Sequence, residues 1–153
     1  MAEPCVDTQE LVEIILFFQR SLLCNLSREV ARGQVSFAQF FLLAALDRGE
    51  ALTMSEIAAR MRHTTAAATG LVDRLELLGY VERAHSTDDR RKILVRITAR
   101  GSELVTSSKG DMIRNVNSLM TYLSSAEQKA WLQIYRKIHR IFVSQAAAAV
   151  SKP

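Results

Sequence analysis

The chain has 153 residues, 48% of them hydrophobic and 24% charged, with a formal net charge of +4. This length suits one domain, or one domain with a long extension, and the composition excludes wholesale disorder and collagen-like or mucin-like chains. Two cysteines, Cys5 and Cys24, are too few for a disulfide scaffold. No run approaches the roughly 20 apolar residues of a membrane span, and the start MAEPCVDTQE lacks a basic secretory region, so the expectation is a cytoplasmic, reduced protein with no membrane partner.

The elements follow in chain order. Pro4 and Pro153 are the only prolines, so no ring interrupts a helix between them. Residues 8–32 read as a long first helix, with Leu11, Ile15, Phe18, Leu22, Leu26 and Val30 at 3–4 spacing. Val12, Ile14, Leu16, Phe17 and Leu23 widen that stripe to most of the circumference, which suits either an intrachain core or a subunit interface. Ser36 is the expected N-cap of a second helix over 36–48, with Phe37, Phe40, Phe41, Leu43, Ala44 and Leu46 as its apolar content. Thr53-Met-Ser-Glu56 is a capping box that starts a short third helix over 53–62. Thr64 caps a fourth, whose inner face is Leu71, Val72, Leu75 and Leu78. Gly33, Gly49 and Gly79 each stand where a helix C-cap falls.

After Gly79 the period changes to two. Val81 to Arg83 opens a short strand, and 85–91 is polar and turn-like. In 92–98, Ile93, Val95 and Ile97 point one way and Lys92, Leu94, Arg96 and Thr98 the other, which makes a β-hairpin with a charged tip. Two long helices complete the chain. One covers 99–123, and the other covers 125–149 behind the capping box Ser124-Ser-Ala-Glu127, with Trp131, Ile134, Tyr135, Ile138, Ile141 and Phe142 at 3–4 spacing.

Charge is unevenly placed. Residues 1–59 hold four basic and eight acidic side chains, whereas 60–100 hold nine and five. Six of those basic residues (Arg83, Arg90, Arg91, Lys92, Arg96 and Arg100) lie within 83–100, which suits a polyanion met by one surface as well as a solvated mixed-charge face. The fold class expected is mostly α with a small β-hairpin wing, a winged helix-turn-helix plus helical flanks. The first turns of the fourth helix, Thr65-Ala66-Ala67-Ala68-Thr69-Gly70, are small enough for its backbone to approach base edges. Its free amides attract phosphate, and threonine hydroxyls and methyls can meet phosphates and bases. Arginines on a thin hairpin can reach a narrow minor groove. Each feature alone also fits close helix packing or a plain turn; together, in this order, they favour DNA.

The stretch from Leu52 to Gly101 resembles the MarR family of bacterial transcriptional regulators. The resemblance is carried by Leu-Val-Asp-Arg-Leu-Glu at 71–76, Gly-Tyr-Val-Glu-Arg at 79–83, and Asp89-Arg90-Arg91 followed by Ile97-Thr98 and Gly101. It implies a homodimer in which 1–35 and 99–153 form the dimerisation helices and 36–98 the DNA-binding module. It implies a sequence-specific repressor of a pseudo-palindromic operator in double-stranded DNA. Thr64, Thr65, Ala66, Ala67 and Thr69 would face the major groove and Arg74 a phosphate. Arg91 would be the minor-groove arginine oriented by Asp89, with Arg83, Arg90 and Lys92 as further phosphate contacts. Many relatives have an arginine or long polar side chain near Ala66 or Gly70; here its absence shifts the expectation towards hydroxyls, methyls and DNA shape.

Many members also release DNA on binding a small aromatic or anionic ligand. The corresponding region here is the first, second and fifth helices, with Phe17, Phe18, Phe37, Phe40 and Phe41, although a plain core is the simpler reading of each phenylalanine. Two alternatives stay open. One is a redox-responsive regulator using Cys5 or Cys24; Arg20 and Arg28 flank Cys24, but Glu13 occupies the position of the family's sensing cysteine. The other is a winged helix that contacts protein without a specific DNA site. His63, His85 and His139 form no metal-ligand spacing, and no nucleophile elbow or phosphate loop is present, so neither an enzyme nor a cofactor is expected.

Overall fold

A computed structural model describes the backbone of residues 6–32, 35–49, 51–86 and 92–150, and the side chains of these except over 22–32 and 146–150. Cys5 and the side chain of Cys24 therefore lie outside the described residues, as does Gly33. The element order is α1 (Thr8–Arg32), α2 (Phe37–Leu46), β1 (Leu52–Thr53), α3 (Met54–Met61), α4 (Thr65–Leu77), β2 (Val81–His85), β3 (Ile93–Ile97), α5 (Ala99–Met120) and α6 (Ser125–Val150). The chain divides into two compact units, Met1–Ile113 and Arg114–Pro153.

The first unit holds the buried core. Leu43 of α2, Ile57 of α3, Val72 and Leu75 of α4, Val95 of β3 and Val105 of α5 are all fully buried. Each such side chain contributes about 1.5–3 kcal/mol on removal from water. These positions recur at 3–4 spacing on the helices, and Val95 sits on the inner face of the sheet, so one cluster joins all four helices to the hairpin. Three local devices set the helix starts. Ser36 caps α2 and forms a reciprocal box with Gln39; Thr53 and Glu56 do the same for α3. Thr64 caps α4 by accepting the Ala67 amide at 3.2 Å.

The sheet differs from a simple hairpin. Its order is β1-β3-β2, all antiparallel, with Leu52 opposite Val95 and Thr53 opposite Leu94. A two-residue strand is too short to show a period, so only its pairing reveals it. In the hairpin Val81 faces Ile97 and His85 faces Ile93. Val95 is buried and Ile97 packs against the core, but Ile93 is exposed, because the strand has run past the helices by that point. Helix α5 ends at Met120, short of 123, where Thr121, Tyr122 and Leu123 turn back onto carbonyls three residues earlier.

In the second unit, α6 begins with the Ser124–Glu127 box, and the Gln128 side-chain Nε2 donates to the carbonyls of Met120 and Leu123 at 2.9 and 3.0 Å. That closes the turn from α5 into α6. No helix among the described residues is long and apolar enough to cross a membrane.

Candidate nucleic-acid interface

Helices α3 and α4 are joined by a turn in which α3 ends in a Schellman motif. The His63 amide reaches the Ala58 carbonyl at 2.9 Å, and the Arg62 amide reaches that of Ala59 at 3.2 Å. The motif needs a left-handed residue, and Arg62 supplies it at φ 52°, ψ 42°. Among the described residues it is the one non-glycine with positive φ. For an L-residue this costs roughly 1–2 kcal/mol relative to ordinary helical backbone. The turn places Thr64 at the start of α4, where its hydroxyl oxygen accepts from Ala67 and its proton remains available to donate. The first intrahelical bond is Ala68 to Thr64 at 2.9 Å, so the amides of Thr65 and Ala66 make no hydrogen bond among the described residues.

Thr65, Ala66, Ala67, Gly70 and Arg74 are exposed, and Thr69 is half-exposed. The Thr69 hydroxyl donates to the Thr65 carbonyl at 2.8 Å, which leaves it as an acceptor and removes it from the donors open to a phosphate. Ala68 is fully buried, and it anchors the opposite face. Gly70 has ordinary helical backbone, and a Cβ built on it meets nothing within 4 Å. In an exposed helix interior glycine costs about 0.8–1.0 kcal/mol relative to alanine.

Arg83 has a structural role that the sequence reading did not assign. Its guanidinium bridges two carboxylates of α4, Asp73 at 2.5 Å and Glu76, and its own amide bonds to Glu76 at 3.2 Å. The side chain is 24% exposed. Burial acts to lower its basicity, but the bonds to Asp73 and Glu76 outweigh that and raise it. Arg83 thus fixes β2 against α4, and a guanidinium so held is already supplied with anionic partners.

A second junction locks the hairpin to α5. Gly79 ends α4 at φ 74°, again in a Schellman motif, with Tyr80 bonded to Leu75 and Gly79 to Glu76. The Thr98 amide then bonds the Tyr80 carbonyl at 3.0 Å, and the Thr98 hydroxyl donates to Gly79 at 2.7 Å and accepts from Gly101 at 3.2 Å. A Cβ on Gly101 would collide with the Tyr80 carbonyl oxygen and lie 2.7 Å from Ile97 Cγ1. Arg100 stacks on the Tyr80 ring at 4.9 Å and donates to the Leu78 carbonyl at 2.9 Å. The spaced glycine, threonine and tyrosine of this stretch are therefore parts of one joint that sets the pitch of the wing.

On the wing itself Lys92 and Arg96 are exposed. Asp89, Arg90 and Arg91, expected to carry the minor-groove contact, lie outside the described residues. The structure thus brings Thr64, Thr65, Ala66, Ala67 and Arg74 to exposed positions along one helix. One residue of the same region, Arg62, was not singled out by the sequence. Nothing local in the sequence signals its left-handed backbone.

The aromatic residues considered for a ligand chamber differ in exposure. Phe40 is in the core, Phe37 packs against it, and Phe17 and Phe41 are exposed. Helix α1 also exposes Leu11, Val12, Ile14, Ile15 and Leu16, and in the second unit α6 exposes Leu132, Ile134, Tyr135, Ile138, Ile141 and Phe142. Within one chain, the described apolar residues from Leu11 to Phe17 of the first helix are therefore exposed.

Comparison with known proteins agrees with this geometry. A MarR family model matches residues 34–92. The HTH-type transcriptional repressor MdtR of Bacillus subtilis is 37% identical over 103 residues, 65% of this chain and 62% of that protein. The uncharacterized HTH-type transcriptional regulator YfiV of the same organism is 37% identical over 70 residues, 46% of this chain and 44% of its own length. The matched part thus spans less than two thirds of these curated relatives. Among solved structures, the YusO protein of Bacillus subtilis superposes with a TM-score of 0.70 at 27% identity, covering 88% of this chain and 99% of that one. A MarR family protein from Bacillus stearothermophilus gives 0.80 at 20% identity, over 93% and 99%. Residues 34–92 are thus similar to the MarR family, and the three-stranded wing and the α3–α4 turn belong to a fold shared with these solved structures.

Proposed function

We propose that the protein is a homodimeric transcriptional repressor that binds a pseudo-palindromic operator in double-stranded DNA. The observation that carries this reading is the start of α4. Thr64 keeps a hydroxyl proton, the amides of Thr65 and Ala66 make no hydrogen bond among the described residues, and all three residues are exposed. This is the chemistry that receives a phosphate at a helix N-terminus and lets the helix settle into a major groove. Lys92 and Arg96 on the wing, with Arg74 further along α4, supply positive charge beside it. Arg91, oriented by Asp89, is the proposed minor-groove contact, by resemblance to the family. The engagement of Arg83 by Asp73 and Glu76 favours a role as a strut that sets the wing, in place of the phosphate contact first expected.

A second copy would cover the apolar faces of α1 and α6, and two-fold symmetry would put two α4 helices about one helical turn of DNA apart. Release by a small aromatic or anionic ligand is the family's mode and rests here on that resemblance.

The test is selection of bound fragments from a random duplex library at 50 and 200 mM salt. A symmetric motif is expected, with affinity falling roughly 10³–10⁵-fold between the two conditions if about six to ten phosphates are neutralised. A folded dimer that enriches no sequence would exclude a specific operator and leave the protein-contact module.

A further inference from the structure

Charge is divided unequally between the two compact units. Residues 1–113 hold fourteen basic and fifteen acidic side chains, whereas residues 114–153 hold six and one, and none of residues 128–153 is acidic. The cations of α6 gather in its middle, at Arg136, Lys137 and Arg140. The helix runs on to Val150, so its dipole, which favours cations only within the last turn, does not account for them. Arg136 and Arg140 are four residues apart, where like charges repel. The side chains of Arg136, His139 and Arg140 are exposed and make no hydrogen bond or ion pair among the described residues. An open cavity of about 680 Å³ lies along this stretch, lined by Leu132, Tyr135, Arg136, His139 and Arg140. These positions recur at i, i+3, i+4, i+7 and i+8, so they form one face of α6 about 12 Å long. Ile138 belongs to a different side. Arg136 and Arg140 are each two residues from it, about 200° of helix rotation away, and Tyr135 stands at the border between the two sides.

We propose that this face of α6 binds a small organic anion, with its carboxylate on Arg136 and Arg140 and its apolar body on Leu132 and Tyr135. A guanidinium presents paired donors that match a carboxylate, and a charge-assisted bond of this kind is among the stronger polar contacts. A bound anion also relieves the repulsion between the two arginines. Leu132 and Tyr135 are about half exposed, at 52% and 50%, and give the same ligand an apolar surface. A bare inorganic anion would leave that surface wet, and a neutral apolar molecule would leave the arginines unpaired. The cavity is of the size of small-molecule sites, roughly 300–1,000 Å³. Its described lining comes from α6 alone, so it is separate from the first, second and fifth helices where the family resemblance puts an effector. The proposal does not rest on the DNA-binding reading. The second copy proposed above takes the side of α6 that carries Ile134, Ile138 and Ile141, and the arginines lie on the other. The site also has its own optical reporter: Trp131 is the single tryptophan of the chain, and its ring lies 6.0 Å from that of Tyr135.

The experiment titrates the full chain with octanoate, acetate and 1-octanol while Trp131 fluorescence is read. Octanoate carries both the headgroup and the apolar body, acetate only the first and 1-octanol only the second. Octanoate should give a saturable change, and the other two should bind at least about tenfold more weakly. Arg136→Gln and Arg140→Gln should each weaken octanoate binding about tenfold, with thermal midpoints at that of wild type because both residues are exposed. Lys137→Gln removes the same charge outside the cavity and should leave octanoate affinity nearly unchanged. No saturable response to octanoate overturns the proposal. So does 1-octanol or acetate binding as tightly as octanoate, since one half of the site is then idle. A loss at Lys137→Gln equal to that at the arginines reduces the effect to diffuse charge and overturns it too. A response that appears only as sedimentation shows the assembly coming apart would mean that octanoate displaces a second copy, and that this face belongs to the subunit contact instead.

Discussion

Helices α1 and α2 are both rich in leucine and phenylalanine, yet the fold treats them differently. Helix α2 buries Phe40, Leu42, Leu43 and Leu46 inside the winged module, whereas α1 leaves Leu11, Ile14, Ile15, Leu16 and Phe17 in contact with solvent, Phe17 at 74% of its surface. The same residue types thus serve an internal core in one helix and stay exposed in the other. What separates them is neighbours: α2 is flanked within the module by α4, β3 and α3, and these supply apolar surface on its inner side. A chain that exposed so much apolar surface in solution would associate, which is why a second copy is the simplest cover.

Two substitutions of opposite expectation break this comparison if it is wrong. Leu43→Ala should cost about 2–5 kcal/mol, since the site is fully buried and ringed by other helices. A loss below about 1 kcal/mol in chemical denaturation would mean that the core is looser than its packing implies. Ile15→Asp should instead act on assembly. Wild type should sediment at twice the 17.1 kDa chain mass and the variant at the chain mass. A wild type that is monomeric at every concentration sinks the dimer and leaves the apolar face of α1 for another partner.

The next largest effect sharpens the comparison within the module. Gly101 stands where α5 starts against the carbonyl of Tyr80, and a methyl group there forces α5 and the strand pair apart. Gly101→Ala should destabilise by about 1–3 kcal/mol and tilt the wing, so DNA affinity should fall with stability. An unchanged thermal midpoint would show that the joint yields without strain. The contrast with Gly70 is instructive because composition alone treats the two glycines as equals.

What was legible in the sequence was what is local. The boxes Thr53–Glu56 and Ser124–Glu127 form between residues three apart, and both start helices where that spacing places them. The long helices, the hairpin and the small start of α4 followed from periodicity within single elements. The remainder depends on contacts between residues distant in sequence. Strand β1 exists because Leu52 meets Val95, forty-three positions away. Arg83 looks like any cation of a basic stretch until the folded chain brings Asp73 and Glu76 to it. Arg62 is an arginine in a polar turn, and its left-handed backbone is dictated by the Schellman bonds around it. The candidate interface was therefore legible as a set of exposed residues, while the distinction between struts and contacts was not.

The smallest effect concerns the tie between the module and α5. Asp47 closes α2, and its carboxylate accepts from Ser102 Oγ at 2.6 Å and from Lys109 Nζ at 3.1 Å, both on α5. The hydroxyl bond from Ser102, with the Lys109 ammonium beside it, holds the carboxyl below its ordinary value of 3.8 against a smaller opposing effect of burial. A carboxyl lowered in the folded state contributes stability that is present above its unfolded pKa and is lost as pH falls through the folded one. Asp47→Asn should therefore lower stability at neutral pH by about 0.5 kcal/mol, modest because Lys109 is largely in solvent. The gap between variant and wild type should begin to close as the pH drops below about 4, where the unfolded carboxyl takes up a proton, and finish closing only as the pH falls through the lowered value of the folded one. A gap that persists unchanged at acid pH would mean that the Ser102 hydroxyl bond needs no charge, and that α2 is tied to α5 by hydrogen bonding and packing alone.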